Sequence, residues 1–325
     1  MNRTWVYAPS RTILESRWGT LLAEQDIERR AALFKTTRDS APDRSKEPLP
    51  GELPIIGSLQ SVPAGTPPPV VRIGYRSFDR QWVISDARAL DQPRPDLWAA
   101  RVPDQVFIVE QHSKPITNGP GLVFSSLIPD MDHFNNRGGR VLALLHADGS
   151  ANLPDGLTRA LSQALGRDVI ARDVLAYIAG VVSHPAYTQT FVDELTTPGV
   201  RVPLTSDRAL WARAVALGEQ VVWLQTYGEA FASDEAQRPR GSVRYPVGDP
   251  RQPLARTPVG AMPAVMIYDE ADRTLRLGEG PEAGTFGPVV PEVWDYAVGG
   301  RHVLKSWFNY RKAAPGGKKT SPLDH

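Results

Sequence analysis

Acidic residues recur at spacings used by catalytic sites, and two groups of them are candidates for chemistry. The first, Asp269-Glu270-Ala271-Asp272, has the spelling of a helicase box. That box requires a glycine-rich loop with a lysine to hold the nucleotide phosphates. The nearest candidate loop, residues 316–320, has Lys319 where a hydroxyl ligand for magnesium is required. The sequence therefore favours a charged hairpin turn over an ATPase site.

The second group shares part of the acidic motif of metal-dependent nucleases. It consists of Pro103-Asp104 followed by Glu110-Gln111-His112. His112 stands where that motif has a lysine, and the spacing between the acids is tight. We therefore interpret this segment as a strand flanked by polar residues.

Methyl transfer to adenine would require two further motifs that the sequence lacks. One is a glycine-rich loop after a strand, and the other is an Asn/Asp-Pro-Pro-aromatic segment that holds the flipped base. The chain has no cysteine, which excludes disulfides, Cys-ligated zinc and thiol nucleophiles. The histidines show no ligand spacing; they are His112, His133, His146, His184, His302 and His325. We therefore predict no catalytic residue, no metal and no cofactor in this chain.

Composition indicates an ordinary globular protein. Of the 325 residues, 41% are hydrophobic and 22% are charged. No apolar run approaches the roughly 20 residues that span a membrane, and the first residues do not resemble a signal peptide. We therefore expect a cytoplasmic location.

The basic residues are strongly biased towards arginine. The net charge is only +1, but seven of the 37 basic residues are lysine, which leaves 30 arginines. Arginine matches phosphate oxygens and the guanine edge better than lysine does. A genome rich in G and C would produce the same bias through codon usage. The bias permits DNA binding, and both explanations stay open.

The elements that must position these residues predict an α+β fold in four parts. Residues 1–69 form an amino-terminal helix, at about 10–35, and an extended connector with eight prolines from Pro42 to Pro69. Residues 70–150 form a β-rich lobe, because short β-branched and aromatic runs alternate with turn residues. Residues 151–240 form a helical lobe. Residues 241–325 form a small α+β closure with a hairpin and a terminal helix.

DNA-binding candidates come mainly from the β-rich lobe. In the segment YRSFDRQW (75–82), alternation along one strand places Arg76, Phe78 and Arg80 on one side and Tyr75, Ser77 and Asp79 on the other. We expect Phe78 and Trp82 in the core, and Arg76 and Arg80 in an outward, DNA-facing role. Further candidates lie in the loops of this lobe and near the carboxy end: Arg94, Arg101, His112, Lys114, Asn135, Asn136, Arg137, Arg140 and Arg301. The run 135–140 has the amides, guanidiniums and glycines of a base-reading loop. A plain polar turn between two strands explains it equally well.

An ordered set of signatures resembles the carboxy-terminal target-recognition region of type ISP restriction–modification enzymes. The signatures are WVYAPSR (5–11), LFKTTRD (33–39), YRSFDRQW (75–82), FSSLIPD (124–130), YIAGVVSHPAY (177–187), VRVPL (200–204) and YAVGGRHVLKSWFNYR (296–311). The resemblance covers nearly the whole chain. It implies a bacterial phage-defence setting in which a nuclease, an ATP-driven translocase and an N6-adenine methyltransferase accompany the recognition region.

The resemblance implies that this chain recognises a DNA sequence and that another part reacts. S-adenosylmethionine and ATP are then expected only in the missing parts, and the partners are double-stranded DNA and a methyltransferase core in cis or in trans. A split gene, a shortened gene and an excised fragment are all compatible with this. The alternative is a protein–protein docking subunit of a restriction or phage-defence complex, without direct DNA contact.

Overall fold

Helices and small antiparallel sheets build the described part of the chain, which confirms the predicted α+β class. The computed structural model describes residues 4–54, 56–130, 132–134, 138–241, 248–257, 262–312 and residue 323. Among these residues, no helix combines the length and the apolar character needed to cross a bilayer.

The elements follow one another in four groups along the chain. The first contains β1 (Tyr7–Ala8), α1 (Arg11–Ala23) and α2 (Ile27–Phe34). The second contains β2 (Val70–Arg76), β3 (Asp79–Ile84), α3 (Pro95–Ala99), β4 (Phe107–Gln111), β5 (Leu122–Ser125) and β6 (Gly139–Ala143). The third contains α4 (Leu157–Leu165), α5 (Ala171–Val182), α6 (Pro185–Thr190) and α7 (Arg208–Gln225). The last contains β7 (Leu254–Thr257), β8 (Met266–Asp269), β9 (Thr274–Leu277), β10 (Gly284–Gly287), α8 (Pro291–Trp294), β11 (Ala297–Val298), β12 (Arg301–His302) and α9 (Val303–Asn309).

The amino-terminal segment forms two helices where the sequence predicts one. Ser10 caps α1, since its hydroxyl accepts a hydrogen bond from the backbone N–H of Ile13. The helix ends at Glu24, which is extended, and Asp26 caps α2 by accepting from the backbone N–H of Arg29. A side-chain cap favours a new helix start. The prediction of one continuous helix over residues 10–35 is therefore wrong, because the segment forms two helices.

The first hydrophobic core joins this segment to a three-stranded sheet of order β1-β3-β2. Its buried aromatic side chains include Trp5, Trp18, Phe34 and Trp98. The proline-rich connector is anchored in the same core through Leu49 and Leu59, and only a single 3₁₀ turn at residues 59–61 interrupts its described part. The predicted boundary at residue 69 stays a prediction, as do the other part boundaries.

The YRSFDRQW signature is a hairpin turn and not a single strand. β2 ends at Arg76, β3 begins at Asp79, and these two residues are paired across the turn. Ser77 and Phe78 form the connection, with Phe78 at a φ of 57°. The predicted alternation across residues 75–82 is therefore wrong, because the chain reverses direction within the motif. Phe78 and Trp82 are half-buried, so the predicted core position is only partly met.

The helical lobe is centred on two helices that pack at backbone contact. α5 and α7 cross at Gly180 and Gly218, where an added Cβ would lie 2.2 Å and 1.6 Å from the carbonyl oxygens of Ala214 and Ala176. Tyr177 stacks on Trp211 with ring centroids 4.3 Å apart. α7 also reaches the sheet of order β5-β4-β6, because the side-chain oxygen of Gln225 accepts the backbone N–H of Phe124 on β5.

The carboxy-terminal part contains a four-stranded antiparallel sheet of order β7-β10-β9-β8. The predicted hairpin across residues 270–272 is confirmed as the β8–β9 pair. Asp269 and Asp272 therefore belong to a charged turn, in which the Asp269 carboxylate accepts the backbone N–H of Asp272 and lies 3.4 Å from Arg276. Residues 316–320 lie outside the described residues.

Substitution of Gly218 tests the contact between α5 and α7. We expect Gly218→Ala to lower the free energy of unfolding by about 3 kcal/mol, because the new methyl group would overlap the carbonyl of Ala176. Gly19→Ala in α1 is the matched control. No atom lies within 4 Å of its added Cβ. A helical alanine there should stabilise the protein by about 0.5–1 kcal/mol. Chemical denaturation of both variants measures the difference, and an equal effect at the two sites would contradict this packing.

Candidate nucleic-acid interface

An arginine at the end of β2 turns into the protein and ties three segments together. Nη1 of Arg76 lies 2.7 Å from Oδ2 of Asp130, and its Nη2 lies 3.8 Å from Oδ2 of Asp132. The guanidinium carbon is 4.2 Å from the ring centroid of Tyr75 and 4.4 Å from that of Tyr310. Arg76 is only 8% exposed. We call Arg76, Asp130, Asp132 and His133 the Arg76 cluster.

Burial sets the protonation of the Arg76 cluster. Burial opposes the charge of Arg76, but Asp130, Tyr75 and Tyr310 together outweigh it and raise the pKa of Arg76. Burial, together with the positive charge of Arg76, lowers the pKa of His133 to about 3. His133 is therefore neutral at physiological pH. Its ring packs edge-on against Phe134, with centroids 5.7 Å apart.

Arg80 on β3 is also paired inside the protein. Its Nη1 and Nη2 donate to the two carboxylate oxygens of Glu229 at 2.6 and 3.0 Å, and Nη2 also donates to Ser126. Tyr227 covers the guanidinium at 4.2 Å. Although burial opposes it, hydrogen bonds from Arg80 and Ser126 lower the pKa of Glu229. The expected outward orientation is therefore wrong for both Arg76 and Arg80, since buried charges require partners.

A buried glutamate lies near the end of β4, the central strand of its sheet. Glu110 is 2% exposed and accepts the backbone N–H of Val200. Its second oxygen is 2.7 Å from Nη2 of Arg140 and 3.5 Å from Nδ1 of His112. Both basic side chains are nearly half exposed, at 48% and 43%. The buried glutamate therefore contacts both basic side chains from the protein interior, while about half of each side chain faces solvent.

The loops around this strand end are joined by backbone contacts. Gly299 and Gly300, in the turn between β11 and β12, donate to the carbonyls of Pro120 and Asn118 at 2.8 Å. Gly299 has a φ of 54°, and an added Cβ there would lie 2.8 Å from the ring of Phe134. This turn brings Arg301 to the same end of the sheet. Lys114 lies in the loop after β4, and both side chains are exposed.

We call His112, Lys114, Arg140 and Arg301 the sheet-end surface. Glu110 brings His112 and Arg140 together, Lys114 follows His112 in the loop after β4, and Arg301 follows the β11–β12 turn that contacts Gln111. Asn135, Asn136 and Arg137 lie outside the described residues, although Phe134 and Gly138 on either side are buried next to this surface. Guanidinium, ammonium and imidazole groups on a fixed frame can hold phosphates or donate to base edges.

The two remaining candidates flank α3. Arg94 precedes this helix with a φ of 55° and lies 3.9 Å from the carboxylate of Asp96. Arg101 follows it, pairs with Glu52 and covers the ring of Trp98 at 4.6 Å. Both side chains are thus only partly available to a ligand.

Three arginines that the sequence reasoning did not select line a cleft of about 640 Å³ together with Arg101. They are Arg72, Arg172 and Arg240. Arg72 could have been identified from the alternation of β2, because its neighbour Ile73 is buried while Arg72 is exposed. Arg172 and Arg240 carry no local signal, because packing between distant segments brings them to the cleft.

The described ranges hold no cluster of three or more His, Asp or Glu side chains arranged to bind a metal ion. The two acidic residues of the nuclease-like segment, Asp104 and Glu110, also have different surroundings. Glu110 supports Arg140 and His112 from inside the sheet, whereas Asp104 is exposed at the rim of the arginine-lined cleft.

The fold matches parts of larger enzymes that were solved with DNA. A cryo-electron microscopy structure of a DrdV–DNA complex aligns with a TM-score of 0.61 and 15% identity, over 98% of this chain and 31% of that chain. The type ISP restriction–modification enzyme LlaBIII bound to DNA aligns with a TM-score of 0.60, 14% identity and coverage of 98% and 20%. A nuclease-deletion mutant of the type ISP enzyme LlaGI, in complex with a DNA substrate mimic, aligns with a TM-score of 0.56 and 13% identity. This alignment covers 98% of this chain and 24% of that chain.

These likenesses, at 13–15% identity, show the fold alone. The chain spans about a fifth to a third of the length of these structures. The family model of the type ISP C-terminal specificity domain matches residues 1–325, and the chain belongs to this family. The resemblance drawn from the sequence signatures is thereby confirmed. No curated protein sequence matches the chain.

The neutral, buried His133 makes stability depend on pH. The unfolded chain takes up a proton at His133 near the ordinary pKa of 6.5, whereas the folded protein does so only near 3. Stability from this residue is therefore lost as pH falls from about 6.5. The slope approaches about 1.4 kcal/mol per pH unit. We expect His133→Gln to remove this component, as measured by urea unfolding at pH 8, 6 and 4.5. Parallel curves for the two proteins would contradict the assignment.

Proposed function

We propose that this chain is the sequence-specific DNA-recognition module of a type ISP restriction–modification system. It directs adenine-N6 methylation and restriction by a methyltransferase core that is not part of this chain. The observation that carries the proposal is the specificity-domain family match over all 325 residues. Support comes from the sheet-end surface, where Glu110 holds Arg140 and His112 and the neighbouring segments carry the exposed Lys114 and Arg301.

Recognition of this kind needs cations that are positioned but not neutralised. Lys114 and Arg301 are exposed, and no carboxylate within the described ranges pairs with either. Arg140 and His112 share the single buried Glu110, and nearly half of each of the two basic side chains stays exposed. We assign Lys114 and Arg301 to phosphates and Arg140 with His112 to base edges. Phosphate contacts position a protein on DNA, and base contacts specify the sequence.

Rigidity of the surface supports the same role. Val109, Val123, Phe134 and Val298 form a small buried cluster directly beneath it. The side-chain amide of Gln111 donates to the carbonyl of Gly299 at 3.4 Å and so connects β4 to the β11–β12 turn. A site held on sheet elements keeps its geometry when a ligand binds. Discrimination between bases depends on such precise geometry. Each well-placed pair of a side chain and a base edge contributes about 1–3 kcal/mol of discrimination.

A second candidate function is docking of a partner protein. α7 presents Leu210, Leu217 and Leu224 to solvent at intervals of seven residues, with exposed fractions of 52%, 55% and 46%. This spacing places them on one face of the helix, opposite the buried Trp211 and Val222. We propose the methyltransferase core as the occupant, because the DNA-bound structures of similar fold are three to five times longer than this chain. Docking and DNA recognition are compatible.

The first test measures DNA binding by the isolated chain. We expect weak, salt-dependent binding to fluorescein-labelled duplex DNA by fluorescence anisotropy, with a Kd of about 10⁻⁴–10⁻⁶ M. Replacing both Lys114 and Arg301 with glutamine should reduce the slope of log K against log salt by about two, because roughly 0.9 is lost for each phosphate contact. Both residues are exposed, so folding should be preserved.

The matched control removes two positive charges from the helical lobe. Arg159→Gln combined with Arg213→Gln changes the net charge equally at two exposed positions. We expect it to leave the slope within about 0.3 of the wild-type value. The proposal fails if the wild-type chain does not bind duplex DNA, or if the two double variants lose the same slope.

The second test addresses the leucine face of α7. A tagged wild-type chain should retain a purified methyltransferase core of the family in a pull-down, and Leu217→Asp should abolish retention. Leu217 is half exposed, so the thermal unfolding temperature of the variant should stay within a few degrees. Retention of the core by Leu217→Asp would exclude this face as the docking site.

A further inference from the structure

The arginine-lined cleft lies apart from the sheet-end surface and has its own chemistry. Its wall includes β2, the beginning of α5 and the segment that follows α7. Four arginines line it, against the two carboxylates of Asp104 and Glu229. Its volume of about 640 Å³ lies within the range of small-ligand pockets.

The positive charge of the cleft is not compensated from within. Glu229 is already held by both terminal nitrogens of Arg80, behind the cleft wall. Arg101 is paired with Glu52. No carboxylate of the described residues pairs with Arg72, Arg172 or Arg240. The three arginines therefore share the cleft with Asp104 and with Glu229, which interacts electrostatically with Arg72 but is already bonded to Arg80.

Each of these three guanidiniums contacts an aromatic ring or a backbone carbonyl, neither of which carries a negative charge. The guanidinium carbon of Arg172 lies 3.9 Å from the ring centroid of Phe231. Nη1 of Arg240 donates to the carbonyl of Glu229 at 3.0 Å. Arg72 lies over Trp82 at 5.5 Å. Aromatic rings and a carbonyl orient a guanidinium without neutralising it, so each retains donors for an anion.

The remaining wall is apolar. Val71, Phe107, Leu127, Leu144 and Phe231 contribute to it. A ligand that satisfies the whole cleft must combine an anionic group with a flat or apolar body. Guanidiniums match phosphate oxygens in two-pronged geometry, and a base can lie against an apolar wall.

We propose that this cleft binds a nucleotide phosphate, held by Arg72, Arg172 and Arg240, with the attached sugar and base against the apolar wall. The phosphate comes either from the backbone of bound DNA or from a free nucleotide. The first form rests on the proposed function, whereas the second does not. In both forms the cleft is a second anion site, separate from the sheet-end surface.

The experiment compares two variants with equal charge change. The test variant replaces Arg72, Arg172 and Arg240 with glutamine. The control replaces Arg159, Arg167 and Arg213, which are exposed on or beside helices α4 and α7. Each protein is titrated with adenosine 5′-monophosphate by calorimetry and with fluorescein-labelled duplex DNA by anisotropy at several salt concentrations.

We expect the test variant to lose at least tenfold in affinity for one of the two probes, while the control variant does not. A loss confined to duplex DNA, with a smaller salt slope, assigns the cleft to backbone phosphates. A loss of adenosine 5′-monophosphate binding assigns it to a free nucleotide. The proposal is overturned if neither affinity changes, or if the control variant loses as much as the test variant.

Two further measurements keep the outcome decisive. If removal of the Arg172–Phe231 contact lowers thermal stability, Arg240→Gln alone replaces the triple variant, because Arg240 is exposed and bonds only to a backbone carbonyl among the described residues. The sheet-end variant of Lys114 and Arg301 is tested in parallel. DNA binding that depends on the sheet-end surface but not on the cleft, with adenosine 5′-monophosphate affinity also unchanged in the cleft variant, would overturn the cleft proposal and leave the proposed function standing. Nucleotide binding by the cleft without any DNA binding would support the cleft proposal and overturn the proposed function.

Discussion

The buried pairing of Arg76 with Asp130 is the interaction on which the arrangement of the β-rich region depends. It joins the β2–β3 hairpin to the segment after β5, and Tyr310 brings the carboxy-terminal helix against the same guanidinium. Arg311 adds a second tie from that helix to the hairpin through Asp79. Removing one partner of such a pair leaves an uncompensated buried charge, which costs about 3–5 kcal/mol. Distant parts of the chain are therefore fixed together by electrostatics as well as by apolar contact.

This constraint divides the arginines of the chain into two groups with different tasks. Arg76, Arg80 and Arg88 are themselves largely buried and paired with carboxylates, and the pairs of Arg76 with Asp130 and of Arg80 with Glu229 connect distant segments. A second group lies at the surface and keeps most of its hydrogen-bond donors available. Arg140 is intermediate, since Glu110 orients it from below and about half of its side chain is exposed. The arginine bias of the composition thus serves architecture first, and only the surface group can contribute to binding.

Much of the fold could be predicted from local sequence signals. The helix stop at Gly166, the helix end before His184-Pro185 and the β8–β9 hairpin all follow from residues within a few positions. The break between α1 and α2 was missed because the capping role of Asp26 was not considered. The direction of Arg76 and Arg80 could not be read from the sequence. A hairpin turn at Ser77-Phe78 reverses the alternation, and the carboxylates that draw both side chains inward are supplied by residues 130, 132 and 229. Candidates on loops near β4 converged because backbone pairing alone brings their segments together.

The hydrogen bond from the backbone of Phe124 to the side chain of Gln225 has a consequence for solubility. β5 is an edge strand in the order β5-β4-β6, and an edge strand offers unpaired amides to any other extended chain. The end of α7 lies over this edge and occupies one of those amides. A helix that packs the helical lobe thereby also shields a sheet from intermolecular strand addition, so partial detachment of α7 would expose a template for aggregation.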